Sequence, residues 1–189
     1  MDAHVMSEPK VIIGIDPGGT TGLAWWSSLS GLTSVDQISD CKEDSQLHTV
    51  IQMLNAIVSL AEPLNGQGIV HIMLERFEFR LDERDRTKID YMPAEVVGAI
   101  RLWAHGRASV KLVLTGASLG KGFWSDDKIK KLGLWVPGRR HAMDALKHLL
   151  RYRLFTLRHQ KLLEAFRPED QPTGIVSKET LDRLRFIRP

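Results

Sequence analysis

Apolar residues fall into two kinds of run along this chain. Val11, Ile12, Ile13 and Ile15 form a near-continuous β-branched stretch, the pattern of a strand buried on both faces. It ends at Asp16 and a turn containing Gly18, Gly19 and Gly22, which permit a tight reversal and leave room for a bulky ligand beside the backbone. Residues 23–28 and 33–38 read as the next strands of an antiparallel meander. Over residues 46–61, Val50, Met53, Leu54, Ile57 and Leu60 recur on one stripe, which predicts a helix stopped by Pro63 and Gly66. Residues 69–75 form another apolar strand ending in an acid. Pro93 opens a helix running through Val96, Val97, Ile100 and Trp103, and residues 110–114 supply the fifth strand. A short helix near 126–132 precedes a long one over 139–154, where Ala142, Ala145, Leu146, Leu149 and Leu150 keep helical spacing. Three early strands, then alternating helices and strands, predict one α/β domain with a mixed five-stranded sheet flanked by helices.

Acids at the ends of such strands need an explanation, because a buried carboxylate must be neutralised by a metal, a cation or hydrogen bonds. Taken alone, the first segment also fits a hairpin turn whose aspartate only caps the loop. Asp16 and Glu75, however, both sit where an apolar run stops. His141 and Asp144, three residues apart near the start of the last helix, share one face. Three carboxylates and an imidazole that converge in a fold make an oxygen-rich pocket suited to Mg²⁺ or Mn²⁺. Two such ions about 3.5–4 Å apart can activate a water and stabilise the leaving oxygen of a phosphodiester.

The ordered set Ile15-Asp16-Pro17-Gly18, Leu74-Glu75 and His141-Ala142-Met143-Asp144-Ala145 resembles the RuvC-like Holliday-junction resolvases of the RNase H-like superfamily. The resemblance covers roughly residues 10–155, leaving 1–9 as an extension and 156–189 as a basic tail. The Gly-Gly-Thr-Thr-Gly turn and the helix sequence His-Ala-Met-Asp-Ala-Leu-Lys-His are similar to divergent variants from phages and prophages. The resemblance implies an RNase H-like fold and a metal-binding, catalytic quartet of Asp16, Glu75, His141 and Asp144. Many members carry Asp where this chain has His141, and the change removes one negative charge. In the implied mechanism Asp16 bridges two divalent ions, Glu75 and Asp144 complete their shells, and His141 is either a ligand or the general base. The products are a 5′-phosphate and a 3′-hydroxyl. A homodimer acting on both strands of a four-way junction is implied, with residues 93–105 as the expected interface.

Composition adds limits. The 43% hydrophobic content suffices for a core, and no apolar run reaches the roughly 18 residues of a membrane span. The single cysteine, Cys41, argues against a disulfide framework, and residues 1–10 lack a signal-peptide pattern; a cytoplasmic protein is expected, in a host cell if phage-encoded. Net charge is only +3, but residues 139–189 hold 12 Lys+Arg against 6 Asp+Glu, whereas 1–138 hold 14 against 17. A basic helix behind an acidic site suits a phosphate backbone, although most charge runs are simply solvated faces. Candidate DNA contacts are Arg76, Phe77, Phe79, Arg80, Lys121, Arg139, Arg140 and Lys147. Phe77 and Phe79 lie in a charged segment, 76–90, which the resemblance equates with the loop whose aromatic wedges into junctions in RuvC-like enzymes, although their offset from Glu75 differs; either could instead anchor the core.

Other features carry less. Residues 116–122 fall one residue short of a phosphate-binding loop and lack Ser or Thr after Lys121, so no nucleotide site is expected. His148 lies seven after His141 and reads as a packing or surface histidine. Glu78 is a weaker alternative to Glu75. Trp103, Trp124 and Trp135 read as core or interface residues. Rival functions are a flap- or fork-selective nuclease, a non-catalytic DNA-binding protein, and an ATP-binding protein of the actin and hexokinase type. The last normally needs two such domains and a longer chain.

Overall fold

The computed structural model describes residues 9–28, 30–31, 33–39, 43–59, 70–77 and 91–157. In chain order the elements are β1 (Val11–Asp16), β2 (Thr21–Ser27), β3 (Thr33–Ile38), α1 (Glu43–Ser59), β4 (Val70–Glu75), α2 (Met92–Ala104), β5 (Val110–Thr115), α3 (Ala117–Lys121), α4 (Asp126–Lys131) and α5 (Arg140–Arg151), closed by a π turn, Tyr152–Thr156. The strands form one sheet in the order β3-β2-β1-β4-β5. β1 runs antiparallel to β2, which runs antiparallel to β3, while β1, β4 and β5 are mutually parallel. This is the mixed α/β sheet the pattern predicts.

Side-chain alternation divides the central strands between two layers. Val11, Ile13 and Ile15, with Leu23, Trp25, Val70, Ile72 and Leu74, pack on α1 and α2. The intervening positions, Ile12, Ala24, Trp26 and Met73, pack on α5 and on Trp124 and Ile129. Both layers are apolar where they are deepest, and each fully buried aliphatic side chain contributes about 1.5–3 kcal/mol.

Two strand glycines bring α5 unusually near the sheet. A Cβ on Gly14 would lie 2.1 Å from the Ala145 carbonyl oxygen, and one on Gly22 would lie 2.1 Å from the His141 carbonyl. The room beside Gly22, which the sequence pattern assigns to a ligand, is therefore filled by the first turn of α5. The β1–β2 turn is clamped from α1: buried Gln46 donates to the Gly18 carbonyl at 2.8 Å and to the Thr21 hydroxyl at 2.9 Å.

Element boundaries depart from the sequence reading in three places. A short helix, α3, forms within 117–121 despite Gly120, its turn closed by Leu119 N–H to Gly116 C=O at 3.1 Å. Gln46 lies inside α1 rather than at its start, because the helix begins at Glu43. The last helix is regular only to Arg151, after which Leu157 N–H bonds back to Tyr152 C=O at 3.2 Å. In that widened turn the Tyr152 hydroxyl bonds to buried His71 at 2.9 Å, and the Arg153 guanidinium lies 4.0 Å over Trp26.

Candidate metal and nucleic-acid site

Strand parity explains why two acids end on the α5 face. Asp16 follows Ile12 and Gly14 at alternate positions of β1, and Glu75 follows His71 and Met73 in β4. Because Ile15 pairs with Leu74 in a parallel register, these acids terminate neighbouring strands at the same end of the sheet. α5 crosses this end with His141 and Asp144 one turn apart. Asp16, Glu75 and Asp144 are all buried.

Each buried carboxylate meets a nitrogen. Asp16 Oδ2 lies 2.8 Å from His141 Nδ1, and the His141 side chain is 41% exposed, so the imidazole stands at the mouth of the site. Glu75 Oε2 lies 2.8 Å from Nε2 of His148, which is buried and whose Nδ1 is 3.1 Å from the Thr115 hydroxyl. Asp144 Oδ1 accepts from Lys147 Nζ at 2.9 Å, and the same ammonium donates to Asp126 Oδ1 of α4, also at 2.9 Å. Burial alone would push the Lys147 pKa down, but hydrogen bonds to Asp126 and Asp144 and the charges of both carboxylates outweigh it and raise the pKa. The N-terminus of α5 is held by Gln37 of β3, whose side-chain oxygen accepts from His141 N–H at 3.3 Å.

The four residues singled out in the sequence thus gather at one end of the sheet, with Asp16 paired to His141, Glu75 to His148 and Asp144 to Lys147. Among the described residues no three His, Cys, Asp or Glu side chains already form a group that could hold a metal ion. In kind, however, the donors suit a hard divalent cation: three carboxylates and one imidazole, carried on rigid elements. His148, Thr115, Lys147 and Asp126 complete the polar network behind them. The only sequence signal for His148 was its position on the His141 face of the helix. Asp126 gave none, because its partner lies 21 residues away on another helix.

The candidate DNA contacts are distributed unevenly. Arg76, directly after Glu75, and Arg140, at the start of α5, are exposed, and Phe77 is half-buried. Arg139 pairs with Asp36 of β3 at 2.7 Å. Lys147 is buried in the acid network. Lys121 ends α3, with its side chain outside the described residues, and Phe79 and Arg80 also lie outside them. Trp124 is fully buried and Trp103 nearly so, while Trp135 packs partly buried against the α5 layer. Within the described residues, no helix is long and apolar enough to cross a membrane.

No protein-family model matches the chain, and no curated protein does. Among solved structures, the chain is similar to T. thermophilus RuvC in complex with Holliday junction substrate, with a TM-score of 0.54 at 17% identity, over 79% of this chain and 96% of that one. At that identity the likeness speaks for architecture, and the architecture is RuvC-like.

Proposed function

We propose that this protein is a divalent-metal-dependent, structure-selective DNA endonuclease that resolves four-way junctions by paired nicking, leaving 5′-phosphate and 3′-hydroxyl ends. The observation that carries this reading is the placement of Asp16 and Glu75 at the ends of adjacent parallel strands, beneath His141 and Asp144 of α5. The similarity to a RuvC captured with Holliday junction substrate supports the choice of branched DNA. The nuclease domain spans residues 10–155, with 1–9 as an extension and 156–189 as a basic tail, and the phage-type motif wording belongs to the same reading.

Asp16, Glu75, His141 and Asp144 would hold two Mg²⁺ or Mn²⁺ ions, which would supply a more acidic bound water and charge stabilisation at the leaving oxygen. The protein's own groups do the rest. Asp16 fixes the His141 ring through Nδ1, leaving Nε2 for one of two roles: a ligand to the ion or, unligated, the base that takes a proton from the attacking water. His148 orients the Glu75 carboxylate from behind. Exposed Arg76 and Arg140 flank the acids and would engage backbone phosphates. A second copy would pack on α2, where Leu102 is 77% exposed, bringing two sites to one junction.

The test is incubation of the protein with labelled four-way junction, Y-fork and linear duplex, in Mg²⁺, Mn²⁺ or EDTA. Paired nicks in the junction that require metal are expected. Cutting restricted to forks would keep the chemistry and refute the junction preference, and no cleavage in any metal would refute the nuclease.

A further inference from the structure

Lys147 is in an unusual place for a lysine beside a metal centre. It is only 9% exposed, and its ammonium is shared between Asp144 and Asp126 at 2.9 Å each. Such a group cannot contact a phosphate without first leaving both partners. Its surroundings suggest a different task. Asp16, Glu75 and Asp144 lie at one end of the sheet, and acids so placed disfavour one another's charge until a cation arrives. The ammonium already supplies one positive charge on Asp144. A divalent ion that takes Asp144 as a ligand meets that charge directly, so the two cations compete for one carboxylate.

Asp126 gives the lysine somewhere to stay. It opens α4, whose Ser125 cap accepts from Lys128 N–H at 3.3 Å and whose Ile129 is fully buried, so its backbone is fixed relative to α5. Its side chain is 51% exposed, and it is not one of the four residues assigned to the metal. Since both carboxylate oxygens already touch the same nitrogen, loss of Asp144 requires little movement of the lysine.

We propose that Lys147 is the resident counter-ion of the metal-free centre, surrendered by Asp144 to the divalent ion and retained by Asp126, so that this pair sets how tightly the centre holds metal. The proposal rests on the metal-centre reading above. Lys147 and Asp126 are positioning residues in this scheme, and neither needs to touch the scissile phosphate.

Calorimetric titration of the full chain with Mn²⁺ alone tests it, without DNA and without reading cleavage. Lys147→Met should bind Mn²⁺ about tenfold more tightly than wild type, within the usual range of site-to-site coupling. Lys147→Arg keeps the charge and should stay within about twofold of wild type. Asp126→Asn should weaken binding by about threefold or more, because the ammonium is left on Asp144 alone. In the Lys147→Met background, Asp126→Asn should have almost no effect, since Asp126 acts through the lysine. Should Lys147→Met fold poorly by circular dichroism, Lys147→Gln takes its place, with the same tighter Mn²⁺ binding expected alone and the same silence of Asp126→Asn in its background. Equal Mn²⁺ affinity in wild type and Lys147→Met, with binding still lost in Asp16→Asn, would overturn the proposal and leave the metal centre standing. Weakening by Asp126→Asn in both backgrounds would make Asp126 a direct ligand and also overturn it. Absence of Mn²⁺ binding in the wild type would overturn both readings.

Discussion

On one face of β1, Val11, Ile13 and Ile15 enter an apolar layer with α1 and α2; on the other, Ile12, Gly14 and Asp16 meet α5. β4 divides in the same way, with Val70, Ile72 and Leu74 against His71, Met73 and Glu75. The first face is filled by side-chain volume. The second gives up volume at Gly14 and Gly22 so that the α5 backbone can approach, and it accepts buried acids that each require a basic partner. Purely apolar packing and buried charge are therefore separated by residue parity within the same strands. The apolar face anchors the sheet on α1 and α2, while the α5 face keeps charged groups in fixed geometry at a cost in burial.

Substitutions on the two faces should consequently differ in kind. Ile72→Ala, on the apolar face, should lower unfolding free energy by about 3–4 kcal/mol in urea titrations while leaving Mn²⁺ affinity unchanged. Gly22→Ala should cost about 3 kcal/mol and also weaken Mn²⁺ binding, because the new methyl displaces the His141 backbone. Equal metal affinity in both variants would break the distinction.

A smaller effect comes from His71, buried on the α5 side. Burial, assisted by the Lys111 charge, pulls its pKa from 6.5 down to about 4. Between those values the unfolded chain binds a proton that the folded protein refuses, so stability rises with pH through this window. The contribution is complete above pH 6.5 and is lost as pH falls toward 4. From pH 7 to 4.5 the wild type should lose about 2 kcal/mol more than His71→Leu, as read from urea midpoints at each pH. Parallel pH profiles would show that His71 does not titrate in this way. The smallest effect belongs to Arg139→Ala: its partly exposed pair with Asp36 should contribute under about 1 kcal/mol, visible only as a slight shift of the urea midpoint.

Much of this was readable in the sequence, and for definite reasons. Asp16 and Glu75 end apolar runs, so their position at strand ends follows from local pattern, and His141 and Asp144 follow from helical spacing. The order of the five strands and of the longer helices was equally legible, because those elements carry their own apolar pattern. Gly14 was not, since a glycine inside a strand does not reveal which backbone approaches it. The bond between Asp126 and Lys147 joins two helices that only the tertiary packing brings together. His148 shared a face with His141, yet nothing local distinguishes a histidine packed in the core from one bonded to Glu75. α3 escaped because a single turn bearing Gly120 has weak propensity, and its packing against α5 is a property of the fold.

The most direct test of the α5 face as a nucleolytic centre is Asp16→Asn, with junction binding and junction cleavage measured on the same protein in Mg²⁺. Cleavage should disappear while binding stays near wild type or tightens, because one negative charge beside the phosphates has been removed. Loss of both would make Asp16 a structural residue, and retained cleavage would place the chemistry elsewhere.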